Sequence, residues 1–503
     1  MEEIFDDERL NQLARNTGFI QRSSGRLRGS DFVKLMSIGL IENSDLSLDG
    51  LCDILEQINP GASVSCQGLS QRINSMQAAD YLKEVLKEAL RKNMTAPMHD
   101  GHAEPLSPFK RIFLEDSTQC SLNEKLADEF RGSGGSASRS SVKINLICEF
   151  KNHTIQDISI SSGNVPDQSA AEAILEHIRA DDLILRDLGY FATDVLEGTR
   201  DREAFYLSRL PKGINIYLSD HKDAVPVNMP DLLNEKFPFR SETDSDVYIG
   251  ENKMPCRLIA YRLPEEIVGL RRGKARRTAA KKGRTPSRDY LKWLGFGFYI
   301  TNVARDIWSA EVIGTVYRLR WQVELIFKSW KSLLNIHILK GTRSERVKCL
   351  IYGRLIAVTV MTMCYGYAFR YAAERFRREV SIYKLFNWLK RNRRLFEAVH
   401  TESSDTLFND MEKNIHRFCK QKRTRKTTLR LIEEQIGYLD SFSENEIGKM
   451  RTKYPFADIT TLISDALSPF VIFTGVVFAG IIFFFRYLRQ LEKNKIPLFN
   501  SQY

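Results

Sequence analysis

Apolar residues recur at every third or fourth position through the first fifth of the chain, which is the period of amphipathic helices. Ser47 and Ser75 precede two of the periodic segments as candidate N-caps, and Pro60-Gly61 marks a turn between helices. We therefore predict a helical domain over residues 1–100. The pattern fits a helix-turn-helix-like DNA-binding head and a plain helical bundle equally well.

The pattern changes to that of β-strands near residue 110. RIFLED, VKINLICEF and TIQDISI are short β-rich segments separated by turn residues. AAEAILEHI then predicts a helix, DLILRD a strand, ATDVLEGTRD a helix and EAFYLSRL a strand. Three strands followed by alternating helices and strands predict a mixed α/β fold with a central sheet, whose first part covers residues 101–210.

Residues 211–292 interrupt this alternation. DVYIG and PCRLIAYRL predict strands, so we interpret the segment as a β-rich insertion that ends in a flexible basic loop. LKWLGFGFYITN returns to strand character, and a long helix is predicted from about Ser309. We assign residues 293–345 to the rest of the α/β core and residues 346–503 to a basic helical C-terminal region.

The charge distribution indicates which kind of partner the protein binds. The 503 residues carry a net charge of +11 and are 43% hydrophobic, which excludes a disordered chain, a collagen-like chain and a polytopic membrane protein. Residues 271–288 hold nine Lys or Arg without an acid, and residues 413–430 hold eight. Such runs are often solvated faces, but two of them in a basic chain favour contact with the phosphates of nucleic acid.

The cysteines and the apolar stretches indicate the cellular compartment of the protein. The eight cysteines form no C-x-x-C pair, and the acidic N-terminus lacks the apolar core of a signal peptide, so we expect reduced thiols in a cytoplasmic protein. Residues 466–485 form an uncharged apolar stretch as long as a membrane span. A membrane tether, a buried or dimer-forming helix and a non-ancestral tail all remain open for it.

The predicted long helix carries a stripe of polar side chains. Tyr317, Arg320, Glu324, Lys328 and Lys331 project within a narrow sector when plotted at about 100° per residue. One carboxylate among three cations and a phenol is an uneven mixture beside apolar neighbours. A solvated face with pairs such as Glu324 and Lys328 is the plain structural alternative.

Three carboxylates are candidates for a metal site. Asp116 ends RIFLED and Asp187 ends DLILRD, so both are expected at one edge of the sheet if those strands are neighbours. Glu324, on a helix packed against that sheet, would then join them. Hard divalent cations such as Mg²⁺ prefer carboxylate oxygens. Either Asp taken singly is more simply a turn residue after a strand.

At these residues the sequence resembles a known family. The spacing Y-x2-R-x3-E-x6-K, in YRLRWQVELIFKSWKSLL, is the YREK signature of DDE transposases of bacterial insertion sequences of the insertion-sequence-four type. FYITN, LEDSTQ, RDLGYF and LARNTGFIQR are similar to other segments of that family. The resemblance covers roughly residues 8–370; the YREK block is specific, whereas each Asp segment alone is weak.

The resemblance implies a fold and a site. The fold would be a ribonuclease-H-like catalytic core with a β-rich insertion, a helical N-terminal DNA-binding domain and a helical C-terminal region. Asp116, Asp187 and Glu324 would bind two Mg²⁺ ions, for which Mn²⁺ would substitute. Tyr317, Arg320 and Lys331 would grip phosphates at the transposon end. The further DNA-binding candidates are Lys328 and, in the basic run, Arg271, Arg272, Lys281 and Lys282.

The resemblance also implies a reaction and partners. A homodimer would cleave DNA at the terminal inverted repeats and join the freed 3′-hydroxyl to target DNA, in the cytoplasm at the nucleoid. A catalytically inactive DNA-binding relative and another ribonuclease-H-like nuclease are the alternatives. Trp293 is a candidate for stacking on a flipped base, with Phe296 or Phe298 as substitutes. A core Trp on a strand is its structural alternative.

Overall fold

The computed structural model describes most of the chain up to residue 420. Two compact units are present. Among the described residues, the larger comprises those within 1–229, 244–260 and 297–420, and the smaller those within 230–243 and 261–296. The described residues are 2–21, 27–41, 47–62, 64–93, 104–134, 138–391, 393–400 and 404–420, so the apolar stretch 466–485 and the second half of the 413–430 basic run lie outside them.

Five α-helices are described in the N-terminal part of the larger unit. The Ser47 hydroxyl accepts the Gly50 N–H and the Ser75 hydroxyl accepts the Ala78 N–H, as expected for capping residues. Stacked aromatic rings of Phe19 and Tyr81, with centroids 5.2 Å apart, lie in their core. The helices are α1 (Asp7–Asn16), α2 (Gly29–Met36), α3 (Leu48–Ile58), α4 (Cys66–Ile73) and α5 (Met76–Asn93).

A sheet follows, as the strand-like segments predict. Strands β1 to β3 form an antiparallel meander, and β4 and β5 add in parallel beside β1, so the order is β3-β2-β1-β4-β5. The crossover before β4 contains a 3₁₀ segment, Asp167–Glu176, where the sequence predicts a helix, and β4 is joined to β5 through α6. Their bounds are β1 (Ile112–Ser121), β2 (Ser141–Glu149), β3 (Thr154–Ser162), β4 (Leu183–Arg186), α6 (Thr193–Arg200) and β5 (Phe205–Arg209).

The segment after β5 extends the same sheet to nine described strands, in the order β5-β9-β8-β7-β6. The prediction of a basic loop over residues 271–288 is wrong for residues 271–280, which belong to α8, whereas residues 281–287 connect α8 to α9 without helix or strand. Trp293 ends α9 and does not lie on a strand. The elements are β6 (Ile216–Tyr217), α7 (Met229–Lys236), β7 (Glu242–Ile249), β8 (Met254–Arg262), α8 (Glu265–Ala280), α9 (Arg288–Trp293) and β9 (Phe296–Thr301).

The remaining described elements are helical. The single long helix expected from Ser309 is two helices joined by one 3₁₀ turn, Arg318–Trp321. Helix α12 packs along α5. The helices are α10 (Ala310–Tyr317), α11 (Gln322–Leu333), α12 (Ser344–Phe376), α13 (Ile382–Arg391), α14 (Arg393–His400), α15 (Asp405–Lys413) and α16 (Ile415–Phe418).

Helix α12 has the length and composition of a membrane span. Within the described residues it is the one helix that meets both criteria, and 83% of its most apolar 18-residue window is buried inside the protein. A buried core helix has the same composition as a span. Besides α5, helix α12 contacts α2, α13 and β3.

Candidate active site

The register of two parallel strands brings Asp116 and Asp187 to the same level of the sheet. Leu114 of β1 lies beside Leu185 of β4, so the residues two positions further along each chain, Asp116 and Asp187, are also neighbours. Asp187 directly follows β4, whereas β1 continues to Ser121 because it stays paired with β2. Asp116 therefore lies within a strand and not at its end, but at the edge that the sequence predicted.

Arg320 connects these carboxylates to the third. Its Nη1 lies 3.4 Å from Asp116 Oδ2, its Nε 3.6 Å from Asp187 Oδ1 and its Nη2 3.6 Å from Glu324 Oε1. The Arg320 side chain is only 8% exposed. One buried guanidinium therefore contacts all three predicted carboxylates, which a solvated helix face does not explain.

The 3₁₀ turn between α10 and α11 shapes this arrangement. Side chains three residues apart are nearly eclipsed in a 3₁₀ helix, which places Tyr317 and Arg320 on one side of the turn. The Tyr317 hydroxyl donates to the backbone oxygen of Arg186 at 3.1 Å and lies 3.3 Å from Asp187 Oδ1. Burial raises the pKa of Tyr317, so the phenol stays a donor. Tyr317 thus fixes the chain at the end of β4.

The single positive charge of Arg320 only partly compensates the negative charges of the three carboxylates. Burial raises the pKa of Asp116 to about 6, with further upward contributions from the Asp187 and Glu324 charges, against the lowering effect of the Ser117 N–H and of Arg320. The guanidinium contacts of 3.4–3.6 Å are longer than the 2.7–2.9 Å of a tight charge-assisted hydrogen bond. The site therefore has capacity for further positive charge.

A divalent cation fits this donor set. All three candidate ligands are carboxylates, the hard oxygen donors that Mg²⁺ takes, and Asp187 and Glu324 are 36% and 35% exposed. The buried Arg320 Nε has no hydrogen-bond partner, so the guanidinium is not locked between the acids. In the described part of the chain, no group of three His, Cys, Asp or Glu side chains is close enough to hold a metal ion in the present conformation. At the candidate site, the Arg320 guanidinium lies between the three carboxylates.

A second charged pair lies behind the site, and sequence reasoning missed it. Arg186 is fully buried, and its Nη2 donates to Glu115 Oε2 at 2.8 Å and to the Ala171 oxygen at 2.9 Å. Burial raises the pKa of Glu115 to about 7, although Arg186 opposes the shift. Glu115 precedes Asp116, and Arg186 precedes Asp187. The available signal was a charged residue directly after the three apolar residues that begin β1 and β4.

The two lysines of α11 lie further along the helix. Lys331 Nζ is 3.5 Å from the backbone oxygen of Gln119 on β1, and Lys328 is exposed. Both line an apolar cavity of about 720 Å³ together with Leu325 and Tyr383. The structure thus brings the earlier members of the stripe to the two aspartates, whereas Lys331 reaches the backbone of β1 and Lys328 faces solvent.

The remaining DNA-binding candidates belong to the smaller unit. Arg271 donates to the Phe296 oxygen at 3.2 Å and Arg272 to the Leu291 oxygen at 2.9 Å, so both tie α8 to the segment that follows it. Lys281 and Lys282 are exposed at the end of α8. Trp293 is half-buried at the end of α9.

Comparison with known proteins places the chain in a family. Residues 107–360, half of the chain, match the transposase DDE domain, and the chain belongs to that family. The transposase for insertion sequence element IS231B of Bacillus thuringiensis subsp. berliner is 28% identical over 453 residues, which cover 85% of this chain and 94% of that protein.

Two further proteins are similar to the chain over shorter or less identical alignments. A cryo-EM structure of a piggyBac transposase synaptic complex with hairpin DNA aligns with 88% of this chain and 86% of its own, at 10% identity and a TM-score of 0.42. The transposase for insertion sequence element IS1151 of Clostridium perfringens is 28% identical over 71% of this chain and 78% of its own length. The family match and the two insertion-sequence relatives make the chain an insertion-sequence DDE transposase, a DNA-binding class of enzyme.

Proposed function

We propose that the protein cleaves DNA at the ends of its insertion sequence and joins the freed 3′-hydroxyl to target DNA, with Asp116, Asp187 and Glu324 as ligands of two Mg²⁺ ions. The observation that carries this proposal is the contact of one guanidinium with all three carboxylates. Mn²⁺ is expected to substitute, because it also prefers carboxylate oxygens.

The proposed metal site has a defined role. When bound, a pair of divalent ions activates the attacking oxygen and stabilises the leaving oxygen of an in-line displacement at phosphorus. Hydrolysis and strand transfer are both such displacements, so one set of carboxylates serves both. Asp116 and Asp187 sit at adjacent strands and Glu324 on a packed helix, so the ligands are held on rigid elements.

Arg320, Tyr317 and Lys331 are proposed to hold the scissile end. Arg320 and Lys331 present cations, and the Tyr317 hydroxyl is a donor for a phosphate oxygen. The loose contacts of Arg320 leave its guanidinium able to turn from a carboxylate towards a phosphate once a metal neutralises the acids. These roles correspond to the YREK signature, and we propose the insertion-sequence-four type on that basis.

We also propose a ribonuclease-H-like core. Its support is the strand order β3-β2-β1-β4-β5, with an antiparallel meander followed by two parallel strands, and with the candidate carboxylates on β1 and after β4. The helical N-terminal part and the basic helix α8 are proposed to bind the terminal inverted repeats. A homodimer in the nucleoid would hold two ends together.

Cleavage of a DNA fragment ending in the element's inverted repeat tests the proposal. We expect Mg²⁺-dependent release of a 3′-hydroxyl at the repeat boundary, and then its joining to a plasmid target. Binding to the repeat without cleavage, in Mg²⁺ or Mn²⁺, would instead favour an inactive DNA-binding relative. Cleavage without preference for the repeat would favour a general nuclease.

The substitution Lys331→Ala tests the phosphate interaction separately. We expect weaker binding to the element end and a flatter dependence of log affinity on log salt, by about 0.9 for each phosphate that the variant no longer neutralises. The measurement is the affinity for a labelled element end, read by fluorescence anisotropy in Ca²⁺ at a series of salt concentrations. Lys222→Ala, at an exposed lysine outside the candidate site, is the matched control. An unchanged slope for Lys331→Ala would remove Lys331 from the phosphate clamp.

A further inference from the structure

Two thiols face each other in the N-terminal helices. Cys52 lies on α3 and Cys66 is the first residue of α4, and their sulfur atoms are 3.6 Å apart. Both side chains are half-exposed, whereas the other six cysteines of the chain are buried. These two are therefore the thiols open to a reagent from solution, and their sulfur atoms are in van der Waals contact.

A carboxylate adjoins the pair. The Cys66 thiol donates to Asp49 Oδ1 at 2.8 Å, and the Cys52 thiol donates to the Val64 oxygen at 3.6 Å. Asp49 is exposed in the first turn of α3. The hydrogen bond to Asp49, followed by that with Cys52, raises the pKa of Cys66 to about 12. Cys66 is thus a poor source of thiolate unless its proton is taken as it reacts.

We propose that Cys52 and Cys66 form a reversible disulfide and that Asp49 accepts the Cys66 proton when the bond closes. A disulfide needs its sulfur atoms about 2.05 Å apart, so each sulfur has to move by roughly 1 Å or less. The proposal rests on the thiol geometry alone and is independent of the proposed catalytic site.

The oxidant is a small-molecule disulfide. Cys52 gives its proton to water, and its thiolate attacks one sulfur; this breaks the small disulfide, leaves a mixed disulfide on Cys52 and releases one thiolate, which takes up a proton from water. Cys66 then gives its proton to Asp49 while its sulfur attacks that of Cys52, and the second small thiolate departs and takes that proton from Asp49 through water. Two protein thiols are oxidised, and one small disulfide is reduced to two thiols.

Closing the bond changes the N-terminal helices. It links positions 14 residues apart across the turn at Pro60-Gly61, so α3 and α4 no longer separate when the region opens. We expect the melting temperature of the larger unit, to which these helices belong, to rise by about 5 °C. If they bind DNA ends, oxidation fixes their geometry without altering the carboxylate site.

Thiol trapping on the full chain tests the proposal. The reduced protein is incubated with glutathione disulfide, quenched with an alkylating reagent at intervals, and analysed by peptide mass spectrometry. We expect the Cys52–Cys66 cross-link as the dominant oxidised species, and the other six cysteines alkylated only after denaturation. Mixed disulfides that persist on both cysteines, without a cross-link, would overturn the pairing.

A pair of variants tests the role of Asp49 as proton acceptor. Asp49→Asn keeps the size of the side chain and an acceptor oxygen, but it removes both the base and the carboxylate that raises the pKa of Cys66. We expect the loss of the base to outweigh the gain in thiolate at neutral pH, so that bond closure slows at least about tenfold and glutathionylated Cys52 accumulates. Asp53→Asn, at another exposed carboxylate of α3, should close at the wild-type rate. Closure of Asp49→Asn at the wild-type rate would overturn proton transfer to Asp49.

Discussion

Donor-end cleavage is expected to fall by roughly 10³-fold when Asp187 is replaced by Asn or Glu324 by Gln. Each change removes one negative oxygen donor from a site whose metals supply several kcal/mol of transition-state stabilisation, and each ~1.36 kcal/mol is a factor of ten. The fold should survive, because Arg320 keeps two other carboxylate contacts in either variant. Single-turnover cleavage with saturating Mg²⁺ is the measurement.

Two controls distinguish a loss of catalysis from a loss of DNA binding. Both variants should retain affinity for the element end, since neither change removes a cation. Asp201→Asn, at an exposed carboxylate that directly follows α6, should cleave like the wild type. If either site variant cleaves at the wild-type rate, the assignment of the three carboxylates as metal ligands is wrong. If both cleavage and end binding disappear, the residue acts through the fold.

The second large effect concerns the buried pair behind the site. Arg186→Met should destabilise the larger unit by about 3–5 kcal/mol, because Glu115 is left without its partner in a dry interior. Burial already raises the pKa of Glu115 despite the neighbouring guanidinium, which shows how poorly the site solvates a lone carboxylate. Urea denaturation followed by the fluorescence of the buried Trp308 and Trp330 reports this unit.

The double variant decides whether the loss is electrostatic. Glu115→Leu combined with Arg186→Met replaces the ion pair with apolar groups and should recover most of the stability that the single variant loses. The matched surface control is Lys110→Met, which breaks the exposed pair with Asp181 and should cost under about 1 kcal/mol. A single variant as stable as that control would contradict a structural role for the buried pair.

Local sequence signals predicted most of the elements that build the site. Alternating and continuous apolar segments located β1 to β5, and the positions of Asp116 and Asp187 followed from where RIFLED and DLILRD carry their acids. The resemblance to the YREK signature selected Tyr317, Arg320 and Glu324; Tyr317 and Arg320 lie beside the aspartates, and Glu324 contacts Arg320. The strands were predictable because the strand period is a property of a few consecutive residues, whereas the catalytic role of the site residues stays a prediction.

Features that depend on distant partners were not predictable in the same way. The basic run from Arg271 predicts a loop because Gly and many cations suggest flexibility, yet Arg271 and Arg272 reach backbone oxygens that hold α8 in place. The 3₁₀ turn before α11 and the Glu115–Arg186 pair also require partners far along the chain. No single segment contains that information.

The neighbouring dipeptides Glu115-Asp116 and Arg186-Asp187 have a genetic consequence. On a strand, successive side chains point to opposite faces, so on β1 Glu115 is buried in the core and Asp116 reaches the site. Arg186 ends β4 in the core, and Asp187, the next residue, reaches the site. An in-frame deletion of one codon upstream in β1 would exchange these faces, turning Asp116 inward and Glu115 outward. The variant would still contain both acids, but the wrong one would face the site, and we expect transposition to be lost. Although the two acids are adjacent, neither can replace the other after such a deletion.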